Sequence, residues 1–202
     1  MAKYQPVKLA AVEAQWETQK GAPFSMVLIP DEAQERNIVD AIQIPKFLSW
    51  LVYEDWNAEI KGLKEWPKDE RPPVTVVFWS FRIMVGLGFL FVLLALIGFF
   101  KRNNLESVPW YLKILPYCIP LPYLAAELGW IVTEMGRQPW IVYGVMKTAD
   151  AVSPIAGSQV ALSLAAFIVV YSLLGLTAFV LIAKAARRGP VEELSPAAGK
   201  VG

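Results

Sequence analysis

Hydrophobic and polar positions divide the chain into a mixed N-terminal part and three long apolar runs. Residues 1–73 mix polar and apolar positions and are punctuated by prolines. The apolar runs cover about 74–100, 112–133 and 157–185, and each is long enough to cross a bilayer as a helix. The pattern predicts an all-α membrane protein with an N-terminal region (1–73), a three-helix transmembrane region (74–188) and a polar tail (189–202).

Local patterns in the N-terminal region predict helices. Residues 8–18 are rich in alanine and charged residues and predict a helix that ends at the Gly-Ala-Pro of 21–23. Residues 31–36 indicate a solvated turn or a short helix. Between 42 and 62 the apolar residues follow a helical spacing, which predicts one amphipathic face lying on a membrane or on a partner.

Basic residues predict the orientation of the transmembrane helices. They follow the first and third runs, on one side of a three-span arrangement: Lys101, Arg102, Lys184, Arg187 and Arg188. Because basic loops stay cytoplasmic, the C-terminus is predicted to be cytoplasmic and the N-terminal region extracytoplasmic. Residues 1–21 show no signal-peptide pattern.

Composition limits the kinds of binding and catalytic site that this sequence can form. The formal net charge of +1 gives no support for binding nucleic acid. The sequence contains no histidine. This excludes catalytic triads that use histidine and bis-histidine haem sites built from this sequence alone, so any imidazole ligand has to come from a partner. Cys118 is the one cysteine, and it is predicted to pack in an apolar setting.

Three polar or aromatic residues share one stripe of the second run. Glu127 and Glu134 lie about two helical turns apart, and Trp130 lies between them on the same face. An acid inside a membrane costs roughly 2.5–3.5 kcal/mol, which favours a functional role. Glu134 could ligate iron, pass protons or simply mark the end of the helix. Arg137 could pair with Glu134 or hold an anionic group, and Trp130 could pack or bridge redox centres.

The first run contains an arginine close to a methionine. Arg82 needs an anion there, either a carboxylate of another helix or a propionate of a buried cofactor. Met84 could be an axial haem ligand or ordinary packing. Gly86 and Gly88 leave room for a neighbouring helix or a flat ring.

In the N-terminal region, Lys8 and Glu13 do not form a helical pair. Their spacing separates them by ~140° on an ideal helix. The pattern alone indicates a solvated helix with scattered charges.

Four motifs resemble the C-terminal part of subunit I of the cytochrome bd quinol oxidases. They are KLAAVEAQWET at 8–18, FRIMVG at 81–86, GW at 129–130 and EMGRQPW at 134–140. The resemblance covers nearly the whole chain, and GRQPW is highly specific. It implies a membrane-embedded oxidase that oxidises a quinol and reduces dioxygen to water, with a low-spin haem b, a high-spin haem b and a haem d.

The resemblance also implies roles for individual residues. Lys8 and Glu13 match the extracytoplasmic loop that binds and oxidises quinol, here in its short form. Met84 matches the axial ligand to the low-spin haem b iron, and Arg82 matches a residue close to that haem.

The remaining matches concern the high-spin haems. Glu134 matches an axial ligand to one high-spin haem iron, and Trp130 matches a tryptophan between haem centres. Arg137 is the third expected cofactor-binding residue, beside Arg82 and Trp130.

The chain departs from the family pattern in one large respect. The family's subunit I has nine spans, and its ligand histidines lie in the first six. The resemblance therefore implies the second piece of a split subunit I, working with a six-helix N-terminal-half chain and a subunit II-like or other membrane subunit. The expected location is a bacterial or archaeal cytoplasmic membrane.

An alternative interpretation stays open. The chain could be a haem-free accessory or scaffold subunit, or a proton-relay component of a transporter. In that case Arg82, Glu127 and Glu134 are expected to form an ion-pair network or a proton relay.

Overall fold

The computed structural model describes residues 1–189, most of which are helical. The predicted tail lies outside the described residues from position 190 onward. The α-helices are α1 (Pro6–Val12), α2 (Phe47–Tyr53), α3 (Val74–Lys101), α4 (Pro109–Cys118), α5 (Leu121–Met135) and α6 (Gly157–Arg188). Short 3-10 turns occupy Leu63–Glu65, Lys68–Glu70, Leu105–Ser107 and Thr148–Asp150. Residues 1–152 form one compact unit, and α6 belongs to a second.

Two helices, α3 and α6, are each long and apolar enough to cross a membrane. They match the predicted runs 74–100 and 157–185. The middle run instead folds as α4 and α5, which are bent by 43° and become a third candidate span only when counted together. The bend follows from Pro120 and Pro122, because a proline has no N–H to continue the hydrogen bonds of the preceding helix.

The first helix is shorter than the predicted 8–18. α1 ends at Val12 because Ala14 has a φ of 46°, a left-handed conformation that a helix does not contain. The Gln15 N–H donates to the Ala10 carbonyl at 2.8 Å and closes the turn. The chain then leaves toward Trp16, whose indole N–H donates to Asn37 Oδ1 at 2.8 Å.

Residues 1–73, called the head below, contain β-structure, so the prediction of an all-helical N-terminal region was wrong. β2 (Phe24–Asp31) and β3 (Arg36–Ile44) form an antiparallel hairpin. β1 (Gln19–Lys20) pairs with β4 (Glu59–Ile60), and beyond the head β5 (Trp140–Val142) pairs with β6 (Met146–Lys147).

The sequence carries a signal for this hairpin. Ile38, Ile42 and Ile44 lie at even spacings, interrupted by Asp40, and β-branched residues favour strands. The residues predicted as a solvated turn connect the strands, and Asp31 Oδ1 accepts a hydrogen bond from the Gln34 N–H at 3.1 Å.

The predicted amphipathic face over 42–62 is only partly helical. Residues up to Ile44 belong to β3, and α2 covers only Phe47–Tyr53. Leu48 and Ser49 point inward and are buried.

The head packs on the first turns of α3 and the end of α5. One buried cluster joins α1 to both helices: Val7, Ala10, Ala11, Val12, Val74, Val77, Phe78 and Val132. Alanines on α1 let the backbones approach closely. This packing brings the charged residues of α1 next to two candidate transmembrane helices.

β2 runs alongside the start of α3. At one end, Glu32 Oε2 accepts hydrogen bonds from the backbone N–H and the hydroxyl of Thr75, both at 3.1 Å. At the other end, the Phe24 ring lies 4.9 Å from the Arg82 guanidinium. The charged end of the hairpin therefore lies at the start of α3, and Phe24 lies about two helical turns further along.

Ser49 gives a test of the head. Its hydroxyl accepts a hydrogen bond from the Ala22 N–H at 2.7 Å and donates one to the Ala58 carbonyl at 2.8 Å. Ser49→Ala leaves the buried Ala22 N–H without its acceptor, which costs about 1–3 kcal/mol, whereas the Ala58 carbonyl still accepts the Gly21 N–H at 3.1 Å. Amide hydrogen exchange in segment 19–62 of the assembled complex is expected to accelerate.

Ser107→Ala is the matched control, because the Ser107 hydroxyl makes an exposed hydrogen bond to the Asn104 carbonyl at 2.7 Å. It is expected to leave exchange in 19–62 unchanged. Equal protection of this segment in both variants would contradict the buried hydrogen bonds of Ser49.

Candidate functional site

A buried ion pair joins the head to α3. Arg82 Nη2 donates to Glu13 Oε2 at 2.8 Å, and the side chains of Arg82 and Glu13 are only 17% and 8% exposed. The apolar surroundings of Arg82 predict an anionic partner such as a carboxylate of another helix. The structure supplies one from the residue that caps α1.

Two aromatic rings flank the Arg82 guanidinium. Its central carbon lies 4.9 Å from the Phe24 ring centroid and 5.2 Å from that of Phe78. Such contacts favour a cation in a site with little water. Phe24 was missed as a site residue because only the hairpin brings it to α3.

Arg82 also has a buried donor without a partner among the described residues. Within residues 1–189, its Nε is buried and has no hydrogen-bond partner. A buried guanidinium N–H without an acceptor costs free energy, so this atom suits a further anionic oxygen such as a carboxylate of a bound group.

Burial has a large effect on Glu13. It raises the pKa of Glu13 to about 7, although the Arg82 cation acts in the opposite direction. A carboxyl group with such a pKa can take up or release a proton near neutral pH.

Lys8 points to a different helix. Its Nζ donates to the Thr133 carbonyl at 3.2 Å, next to Glu134 at the end of α5. A methyl group added at Gly136 would overlap the Val132 carbonyl oxygen and lie 2.9 Å from Lys8 Cε, so only glycine leaves this space. Burial lowers the pKa of Lys8, the Arg137 cation lowers it further, and Glu134 opposes both.

Lys8 and Glu13 therefore act on different parts of the fold. As their helical spacing predicted, they make no ion pair with each other. The backbone carbonyl of Thr133 could not be foreseen as a partner, because a carbonyl has no signature in the sequence.

Glu134 and Arg137 pair with each other at the end of α5. Arg137 Nη2 lies 3.2 Å from Glu134 Oε1, one of the two possibilities that the sequence left open for Arg137. The Glu134 side chain is 50% exposed, and Trp130 is 65% exposed. Glu127 is also exposed, so the predicted stripe faces out of the unit formed by residues 1–152.

The ion-pair network of the alternative interpretation does not form. Arg82 pairs with Glu13, and Glu134 pairs with Arg137. Arg82 contacts the head because β2 and α1 both pack against the first turns of α3.

Met84 lies where α3 meets α5. It is partly buried, and a methyl group added at Gly129 would lie 3.0 Å from the Met84 Sδ. At Gly86 and Gly88, an added methyl group would meet nothing within 4 Å. The thioether therefore adjoins a backbone without a side chain, and the next turn of α3 has open space.

Comparison with known proteins identifies the family. The model described as "Cytochrome bd terminal oxidase subunit I" matches residues 1–190. The chain is 38% identical to "Cytochrome bd ubiquinol oxidase subunit 1" of Bacillus subtilis (strain 168), over 92% of this chain and 42% of that protein. It is 31% identical to "Cytochrome bd-II ubiquinol oxidase subunit 1" of Escherichia coli (strain K12), over 94% of this chain and 50% of that protein.

A solved structure supports the same family assignment. The bd oxidase from Geobacillus thermodenitrificans matches with a TM-score of 0.77 and 32% identity, over 94% of this chain and 43% of that one. The chain spans half or less of the length of these relatives. By sequence and by fold, this chain belongs to the cytochrome bd terminal oxidase subunit I family.

Proposed function

We propose that the chain supplies the quinol-loop part and half of the haem surroundings of a quinol:dioxygen oxidoreductase of the bd type. The Glu13–Arg82 pair is the observation that carries the proposal. It connects the loop residue expected to meet quinol with the transmembrane segment that holds Met84, two residues beyond Arg82.

Glu13 takes the proton in this proposal. Oxidation of a quinol releases protons, and a carboxylate with a pKa of about 7 accepts one near neutral pH. The Arg82 cation stabilises the carboxylate form that has to be regenerated. Lys8 supplies a second polar contact to the quinol from the other side of α1.

The described residues fit a haem on the α3 side. The free Nε of Arg82 suits a propionate, and the Met84 thioether suits the low-spin haem b iron. Haem, when bound, supplies the one-electron chemistry that oxidises quinol.

At the end of α5, the residues fit a second haem. The half-exposed carboxylate of Glu134 is the proposed ligand to a high-spin haem iron, and Arg137 orients that carboxylate through their ion pair. Trp130 is exposed on the same side. This position suits contact with a high-spin haem b or a haem d held mainly by other helices.

The complementary groups lie outside this sequence. Since the chain has no histidine, imidazole ligands have to come from elsewhere. We assign them to the six-helix N-terminal half of a subunit I, assembled with a subunit II-like membrane subunit. The head is extracytoplasmic, and the C-terminus is cytoplasmic.

Met84→Leu tests the haem assignment. Leucine keeps the packing volume but removes the sulfur ligand, so the reduced-minus-oxidised absorption of the low-spin haem b is expected to disappear from the purified complex. Met26→Leu is the matched control, because Met26 is 56% exposed on β2. An unchanged low-spin spectrum in Met84→Leu, at equal subunit content, would contradict the assignment.

Glu13→Gln tests the proton acceptor. Because burial raises the pKa of Glu13 to about 7, its carboxylate form predominates only above that pH, and kcat/KM for quinol is expected to increase with pH through about 7. Glutamine still accepts a hydrogen bond from Arg82 but takes no proton. The variant is expected to lose this increase and about 10²-fold in rate at pH 8.

Glu17→Gln is the control for this experiment. Glu17 is exposed and pairs with Lys64 on the surface, so its pH profile is expected to match that of the unchanged complex. A rise through pH 7 that persists in Glu13→Gln would exclude Glu13 as the acceptor.

A further inference from the structure

Helix α2 and the residues just after it present apolar and aromatic side chains away from the rest of the head. Trp50, Leu51, Tyr53 and Trp56, called the α2 aromatic face below, are between 38% and 55% exposed. On the other side of α2, Leu48 and Ser49 are buried against the rest of the head. None of these residues takes part in the proposed quinol or haem chemistry.

A row of aromatic rings, two pairs stacked and one edge-to-face, connects this face to α3. Ring centroids are 5.4 Å apart between Trp50 and Trp56, 5.5 Å between Phe47 and Trp50, and 6.0 Å between Phe24 and Phe47. Phe24 in turn lies on the Arg82 guanidinium. The face is therefore continuous with a site about two helical turns into an apolar helix.

One exposed aromatic residue of α3 lies close to the level of Arg82. Trp79, one turn before Arg82, is 42% exposed and packs edge-on against Phe78 at 5.3 Å. Tryptophan and tyrosine concentrate at the boundary between lipid headgroups and acyl chains. Trp79 and the α2 aromatic face have this composition.

The charged turn and the aromatic end of the hairpin lie at different levels along α3. Its turn, with Asp31, Glu32 and Glu35, lies at the start of α3, where Glu32 binds Thr75 and Glu35 lies 3.3 Å from Arg71. Its aromatic end lies further along α3, toward the middle of the apolar run. A charged end away from the bilayer and an aromatic end toward it is the arrangement expected at a membrane surface.

We propose that the α2 aromatic face inserts into the headgroup–acyl boundary of the leaflet next to the head, so that lipid covers it. Lipid fits better than a protein partner because the face combines tryptophan and tyrosine with apolar side chains, the composition of the headgroup boundary, and because the charged end of the hairpin lies on the side away from the apolar run. In this role α2 fixes the depth of the Glu13–Arg82 pair relative to the bilayer. The inference does not depend on quinol oxidation.

Spin labelling of the assembled complex in lipid nanodiscs tests the proposal. A nitroxide is attached to Leu51→Cys on a Cys118→Ser background, and a second label at Tyr53→Cys repeats the measurement if the first variant does not assemble. The control is Gln34→Cys in the exposed hairpin turn. Power saturation with oxygen and with a water-soluble nickel complex, each referenced to the same sample under nitrogen, reports what covers the label.

Lipid contact predicts that the labels at 51 and 53 are several-fold more accessible to oxygen than to nickel, with the opposite ratio at 34. Nickel access equal to that at 34 would show a face in water and overturn the proposal. Protection from both reagents would show a protein partner and also overturn it. Loss of oxygen access only when a quinone analogue is added would assign the face to quinol instead.

Discussion

The ion pair between Glu13 and Arg82 is the constraint on which the arrangement of the head and α3 depends. Both side chains are mostly buried, so neither can lose its partner without leaving an uncompensated charge. Breaking such a pair costs about 3–5 kcal/mol, whereas an exposed pair contributes at most about 1 kcal/mol. The head is thus held to the apolar helix at one chemically defined point, which is also the point where proton and electron chemistry are proposed to meet.

α1 distributes its two ionisable residues between two helices. Glu13 reaches α3, and Lys8 reaches the last turn of α5 beside Glu134. A single short helix in the head therefore contacts both helices that carry proposed haem ligands. Small alanine side chains make this possible, because they let α1 lie close to both.

Much of the membrane part could be predicted from the sequence, because a long apolar run determines a spanning helix locally. This holds for α3 and α6, whereas the length of the middle run does not reveal the 43° bend between α4 and α5. The hairpin was missed because the evenly spaced isoleucines of β3 run into a segment whose apolar residues have a helical spacing. Its pairing with β2 depends on contacts that no single segment contains.

The site shows the same division between local and long-range information. That Arg82 requires an anion follows from its own apolar surroundings, but Glu13 lies 69 positions away. The pairing of Glu134 with Arg137, close in the chain, was foreseen as a possibility. Lys8 could not be placed, since its acceptor is a backbone carbonyl 125 positions distant.

The bend between α4 and α5 has a mechanical consequence. At one end of this pair, the Tyr111 hydroxyl donates to the Leu94 carbonyl of α3 at 2.9 Å. Further along, Gly129 of α5 lies against α3, where an added methyl group would be 3.0 Å from Met84 Sδ. A straight helix has a single axis, whereas these two attachments to α3 are made by segments whose directions differ by 43°. A helix made straight by removing the prolines could not keep both contacts. The bend therefore allows one apolar run to contact α3 at two separate points.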